Sequence, residues 1–339
     1  MSVPPCRFSI AESDAPIELL PRDLSAWQQG NCGVDYVHRL DSGQQGPELV
    51  IQALTHGNEI CGANALLWLL ENNIRPLKGA LTLIFANVDA YKTFDPQRPF
   101  ASRCLDEDMN RIWLPSRLTC PNSLETRRAV ALLPFVENAD SLLDLHSTTF
   151  AVAPMLIYPQ TSSNRDFADQ LGFPFPHLLY DLGSYHPGIL ISEHEQNTDG
   201  GVSLVAECGQ HFAKATTAQA LAVTLRFIAL HGMLDPAVEL PEWGYQPDSS
   251  AGHYRIDTVL TAQSEQFRFA ESVRGFEQYN KGELIATDDQ ELIAAPFDNC
   301  ALIMPARVPV AGEEVVTLAE RLDRSAAGQK QHGKQEQEL

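Results

Sequence analysis

The sequence predicts an α/β fold with a smaller β-rich C-terminal part. Short apolar runs at 49–54, 81–86, 141–146 and 202–207 read as buried strands, and helical stretches at 60–70, 123–137 and 216–231 lie among them. After Asp235-Pro236 the texture changes to short alternating runs punctuated by Gly and Pro. A chain of 339 residues is long enough for one large core plus a smaller domain. The expected organisation is 1–238 as the catalytic domain, with 1–45 as its leading segment, then 239–324 as the β-rich domain and 325–339 as a disordered tail.

Composition narrows the function. An apolar fraction of 44% is ordinary for a globular protein. A net charge of -20 argues against a nucleic-acid partner, because phosphate contacts need clustered Lys and Arg. It also means that an anionic substrate needs locally placed arginines. No run approaches the ~18 apolar residues of a membrane span, so no membrane partner is expected. The first eight residues lack the basic-then-apolar pattern of a secretory signal. Seven scattered cysteines without Cys-x-x-Cys spacing predict reduced thiols and a cytoplasmic protein.

Taken in order, 34–40 alternates like a strand at an edge. The run 47–54 is a buried strand, and Ile60 to Leu70 is a helix. Between them stands Thr55-His56-Gly57-Asn58-Glu59, a His and a Glu at a strand-to-helix junction. Ligands of open α/β sheets bind at that end of the strands. Residues 91–123 form a long irregular stretch carrying Arg103, Asp106, Asp108, Asn110 and Arg111. Such length inside a compact domain points to function. Ser123 or Asn122 caps the next helix. The strand 141–146 ends in His146; 155–158 and 189–192 are further expected strands; 202–207 ends in Glu207. The helix 216–231 carries an apolar stripe at Leu221, Leu225, Ile228 and Ala229 and stops at Gly232. Runs at 254–256, 267–269, 283–286 and 301–304 supply the β-rich part.

His56, Glu59 and His146 match the His-His-Glu set of catalytic zinc sites, which leaves a fourth position open for water. The spacing alone leaves a second reading open, that of hydrogen-bonded structural histidines. Glu207 can act as a base on such a water, or it can cap the segment starting at Cys208. Asp144 shares a strand face with His146 and can accept its other N–H. Arg103 and Arg111 can bind a carboxylate or stabilise an oxyanion; the alternative is surface ion pairs with Asp106, Glu107 or Asp108.

Four stretches together resemble the aspartoacylase/succinylglutamate desuccinylase family, relatives of the zinc carboxypeptidases. They are His56-Gly57-Asn58-Glu59, Asp108-Met109-Asn110-Arg111, Asp144-Leu145-His146-Ser147-Thr148 and Val205-Ala206-Glu207-Cys208-Gly209, in the family's order. The resemblance covers 45–235. It implies a zinc-carboxypeptidase-like three-layer α/β/α catalytic domain and one Zn2+ per chain on His56, Glu59 and His146. It further implies Glu207 as general base, Arg103 polarising the carbonyl, Asn110 and Arg111 holding a substrate carboxylate, and Asp144 behind a zinc histidine. The implied activity is hydrolysis of the amide of a small anionic N-acyl amino acid. The alternatives are a metallocarboxypeptidase acting on short peptides and a non-catalytic zinc-binding module; a homo-oligomer is left open. Two family features are missing. No Arg occurs at 195–199, about ten residues before the base, and no Tyr occurs near Glu313-Glu314-Val315-Val316. A desuccinylase therefore fits better than an N-acetylaspartate hydrolase.

Overall fold

A computed structural model describes residues 16–173, 175–198 and 200–322. The expected tail at 325–339, the first fifteen residues and Asp199 lie outside them. The chain enters the sheet with β1 (Val37–Asp41) and β2 (Glu48–Ala53), then runs through α1 (Ile60–Glu71) to β3 (Ala80–Phe85) and α2 (Val88–Tyr91). A long loop holding the 3-10 turn Met109–Arg111 and α3 (Pro115–Leu118) leads to α4 (Leu124–Glu137) and β4 (Ser141–Thr148). Next come β5 (Met155–Pro159), α5 (Ser162–Leu171), β6 (His177–Tyr180), α6 (Leu190–Asn197), β7 (Val202–Gln210) and α7 (Lys214–Leu230). The remainder is all β: β8 (His253–Thr261), β9 (Arg268–Phe269), β10 (Gln278–Tyr279), β11 (Leu284–Asp288), β12 (Glu291–Ala294), β13 (Cys300–Ile303) and β14 (Glu314–Leu322).

Eleven strands form one mixed sheet in the order β1-β3-β2-β4-β7-β5-β6-β8-β14-β13-β10. Its centre is parallel, β3-β2-β4-β7. β5 then joins β7 antiparallel, and β6 joins β8 parallel. The β-rich residues thus continue the same sheet through β8. A separate three-stranded sheet, β12-β11-β9, stands beside it.

The central strands are buried on both faces, which explains their unbroken apolar runs. Leu49, Ile51, Leu143 and Leu145 pack with Leu66 and Leu69 of α1 and Val223 and Phe227 of α7. Val50 and Leu142 point the other way, towards Met109, Trp113, Ala129 and Leu132. Helices therefore cover both faces. Phe267, Ile285, Leu302 and Val316 build a third, smaller core. Among the described residues no helix is long and apolar enough to cross a membrane.

Several expectations hold. Ser123 caps α4 in a reciprocal capping box with Thr126. Gly232, with φ of 65°, follows the end of α7. One is corrected: residues 189–192 are not a strand. Ile189 precedes α6, and Leu190, Ile191 and His194 are its buried face. A four-residue apolar run carries too little period to separate a strand from a helix turn. The cysteines also divide. Cys32, Cys61, Cys120, Cys208 and Cys300 are free, but Cys104 is disulfide-bonded, against the expectation of reduced thiols throughout.

Gly57 shows how tightly the β2–α1 junction is built. A Cβ there would sit 2.4 Å from both the Ser102 carbonyl oxygen and the Tyr91 nitrogen. Its own N–H donates to the Arg103 carbonyl at 2.9 Å. The junction is thereby pressed against the long loop. Gly57→Ala should destabilise the protein by about 1–3 kcal/mol through overpacking, read as a lower urea midpoint with an unchanged slope.

Candidate active site and metal centre

The parallel strands deliver the site. β2 ends at Ala53, and Leu54, with φ of 62°, turns the chain so that Thr55 to Glu59 cross the sheet's carboxyl edge. β4 brings His146 to the same edge, and β7 places Glu207 opposite His146 in register. Four expected residues, His56, Glu59, His146 and Glu207, from three separate stretches of sequence, thus meet because β2, β4 and β7 are neighbours.

Glu59 lies at the centre. Its Oε1 is 2.7 Å from His56 Nδ1 and its Oε2 is 3.0 Å from His146 Nδ1. One ligand atom from each residue lies within 4.8 Å of the other two. All three side chains are buried. Burial pushes the Glu59 carboxyl up, but the two imidazoles outweigh it and hold the group well below the usual carboxylate range.

Each histidine has a second carboxylate behind it. His146 Nε2 is 2.8 Å from Asp144 Oδ2, as expected for Asp144. Asp144 Oδ1 accepts from the Thr55 hydroxyl at 2.8 Å, and that hydroxyl accepts from Gln52 Nε2 at 2.8 Å. His56 Nε2 is 2.9 Å from Asp108 Oδ1. The sequence placed Asp108 in the functional loop and in one of the four motifs but gave it no role beyond an ion pair; in the structure it is the counterpart of Asp144. Burial lowers the proton affinity of His146, yet Asp144 and Glu59 raise it well above the ordinary value. That positive charge stands where a dication would supply its own. The donor set suits zinc, since metal-bound histidines generally pass their other N–H to a carboxylate or carbonyl.

The long loop supplies the rest. A buried carboxylate, Glu125 of α4, organises it by accepting from the backbone N–H groups of Leu105 at 2.7 Å and Asp106 at 3.1 Å and from Asn87 Nδ2 at 3.1 Å. Arg103 Nη2 donates to Asp108 Oδ2 at 2.8 Å, and its Nη1 is 3.6 Å from Glu59 Oε1. Burial pushes Asp108 up, but Arg103 and His56 hold it well below its usual range. Asn110 accepts at Oδ1 from the Leu190 N–H at 3.1 Å, which leaves its amide NH2 as donor. Arg111 lies beside it, Nη1 donating to the Asn110 carbonyl at 2.9 Å.

These groups line a cavity of about 310 Å³ that reaches from His56, Glu59, His146 and Glu207 past Arg103, Asn110 and Arg111 to residues 304–317 of the β-rich part. Glu207 Oε2 is buried there with no hydrogen-bond partner. Burial, with Glu59 adding to it, pushes the Glu207 carboxyl up to about 8, against His146 and Arg103. His211, which the sequence did not single out, also faces the cavity. Its Nδ1 is 2.7 Å from Ser147 Oγ, and burial pushes it down to about 3. Tyr185 and His186 stand in the wall with Arg111 and Glu314, and His186 Nδ1 is 3.3 Å from Glu314 Oε1. Cavity tyrosines therefore exist, but they are Tyr180 and Tyr185 and neither comes from the β-rich part.

The chain belongs to the succinylglutamate desuccinylase/aspartoacylase family: the model of that family's catalytic domain matches residues 45–225, just over half of the sequence. Solved structures share the fold. The succinylglutamate desuccinylase of Vibrio cholerae aligns with a TM-score of 0.62 at 18% identity, covering 86% of each chain. A succinylglutamate desuccinylase/aspartoacylase of Rhodobacter sphaeroides aligns with a TM-score of 0.60 at 16% identity, over 90% of this chain and 93% of that one. The ectoine utilization protein of Ruegeria pomeroyi, described with product bound, gives 0.59 at 16% identity, over 91% of this chain and 98% of that one. No curated relative matches the sequence.

The unpaired Glu207 carboxyl has a stability consequence. Below its ordinary value of 4.5 both folded and unfolded chains hold the proton. Between there and about 8 only the folded chain holds it, so this group lowers stability progressively as pH rises across that window. In chelator-treated protein, Glu207→Gln should gain melting temperature over wild type from pH 5 to pH 8. A constant difference across that range would contradict the assigned environment.

Proposed function

We propose that the protein is a zinc-dependent hydrolase that cleaves the amide bond of a small N-acyl amino acid, as a succinylglutamate desuccinylase/aspartoacylase-like deacylase. The observation that carries this reading is Glu207. A buried carboxyl with an unpaired oxygen, facing a cavity beside two histidines and a glutamate, suits a proton carrier better than a structural acid.

His56, Glu59 and His146 would hold the zinc, with Asp108 and Asp144 orienting the two imidazoles. When bound, zinc supplies a Lewis acid and makes a neighbouring water acidic near neutral pH. Glu207, ionised under the influence of that charge, takes a proton from the attacking water at Oε2. The same carboxyl then hands the proton to the departing amine nitrogen, so base and acid are one group in sequence. Arg103 turns its guanidinium to the carbonyl oxygen, where negative charge develops. Asn110, through Nδ2, and Arg111, through its guanidinium, hold a substrate carboxylate. His211, neutral in its buried position, keeps Ser147 fixed beside Glu59.

The same reading extends to architecture. We take residues 1–238 as a zinc-carboxypeptidase-like α/β/α catalytic unit and 239–324 as a smaller β-rich unit whose 304–317 segment closes the cavity. The helices on both sheet faces and the cavity lining support this division.

The test is a substrate panel on metal-stripped and zinc-restored protein. Acetyl-, succinyl- and longer-chain acyl amino acids are compared with short unblocked peptides. The expected outcome is hydrolysis of N-acyl amino acids that disappears on chelation and returns with zinc. Turnover that survives full metal removal, or that occurs only on peptides, would contradict the proposal.

A further inference from the structure

A second group of two histidines and a carboxylate lies outside the cavity, in the seam where the β-rich part joins the sheet. His177 opens β6 and His253 opens β8, and the two are direct partners in the parallel register. Their rings stand edge to face at 4.9 Å. Asp169, in the last turn of α5, reaches over both. Its Oδ1 is 3.0 Å from His253 Nε2 and 3.9 Å from His177 Nδ1. One ligand atom from each lies within 4.8 Å of the others.

The tautomer of His177 gives this cluster its meaning. His177 is buried, and its Nε2 is 3.2 Å from the Phe173 carbonyl oxygen. A carbonyl only accepts, so the proton sits on Nε2 and the lone pair on Nδ1. That lone pair faces a carboxylate oxygen, which is also an acceptor. Such a ring, anchored through one N–H to a carbonyl and presenting the other nitrogen, is the arrangement of a metal-bound histidine. The Tyr158 hydroxyl, 3.2 Å from the same Nδ1, is the group that competes for the lone pair. Asp169 is half exposed and His253 partly so, which leaves the cluster open to solvent ions.

We propose that Asp169, His177 and His253 form a second cation site, of the zinc type, that clasps α5 and β6 to β8. Two imidazoles and one carboxylate suit zinc and its first-row neighbours, whereas calcium and magnesium prefer oxygen throughout. The site draws on β8, beyond the 45–225 span of the family match. Its role is structural: it ties the strand that introduces the β-rich part to the sheet that carries the catalytic groups. It does not depend on the deacylase reading.

The full chain, stripped with chelator, is dialysed against buffered micromolar free zinc, and bound zinc per chain is measured. His253→Ala and Asp169→Ala should each hold one equivalent fewer than wild type. Tyr158→Phe, which removes the competing hydrogen bond, should bind that equivalent about three- to tenfold more tightly. His56→Ala removes a different equivalent, so a failure of the central site leaves this readout intact. Unchanged zinc content in His253→Ala and Asp169→Ala would overturn the proposal. So would unchanged or weaker affinity in Tyr158→Phe, since Nδ1 of His177 would then not be a ligand.

Discussion

Everything at the centre of this protein follows from one shared carboxylate. Glu59 is buried between His56 and His146, with an oxygen given to each. A carboxylate in that position is costly unless charge and hydrogen bonds surround it. The chain meets that cost with two imidazoles, the Ser147 N–H at 3.1 Å and the Arg103 guanidinium. Those partners need support in turn. Asp144 and Asp108 stand behind the histidines, and Gln52 and Thr55 stand behind Asp144. With Glu207 the site gathers four carboxyl groups around two imidazoles, with the Arg103 and Arg111 guanidinium groups beside them.

The same requirement explains the long loop. Asp108 and Arg103 can reach the centre only if residues 103–111 follow a fixed path. Glu125 sets that path from below through backbone N–H groups, and Gly57 sets it from the side by allowing the loop to touch the β2–α1 junction. The loop lacks regular structure over most of its length yet is held both at Asp108 and Arg103 and at Glu125 and Gly57. The β-rich part completes the cavity from the opposite side through residues 304–317.

Much of this was legible in the sequence, for local reasons. His56 and Glu59 stand at a junction between an apolar run and a helix, and His146 and Glu207 each end an apolar run. Parallel strands buried on both faces announce themselves in that way. Asp108 was legible as a member of a motif in the long loop, but its role behind His56 was not, because His56 lies 52 positions away and the loop path is a tertiary fact. Glu125 read as a helix residue, since nothing local shows that it collects N–H groups from the loop. The short runs failed for a different reason. Residues 189–192, read as a strand, and 177–180, a strand that was not expected at all, are four positions each, too few to show a period of 2 or 3.6. His177 and His253 meet through a strand pairing that no spacing reveals.

The most direct measurement pairs zinc content with turnover in Glu207→Gln on an N-acyl amino acid that the wild type hydrolyses. The variant should bind zinc as wild type does, because Glu207 is outside the proposed ligand set of His56, Glu59 and His146. Its kcat should fall by about 10²–10⁴, the contribution of a positioned acid–base group. Equal zinc with wild-type turnover would contradict the assignment of Glu207 as the proton carrier, and with it the mechanism built on that residue.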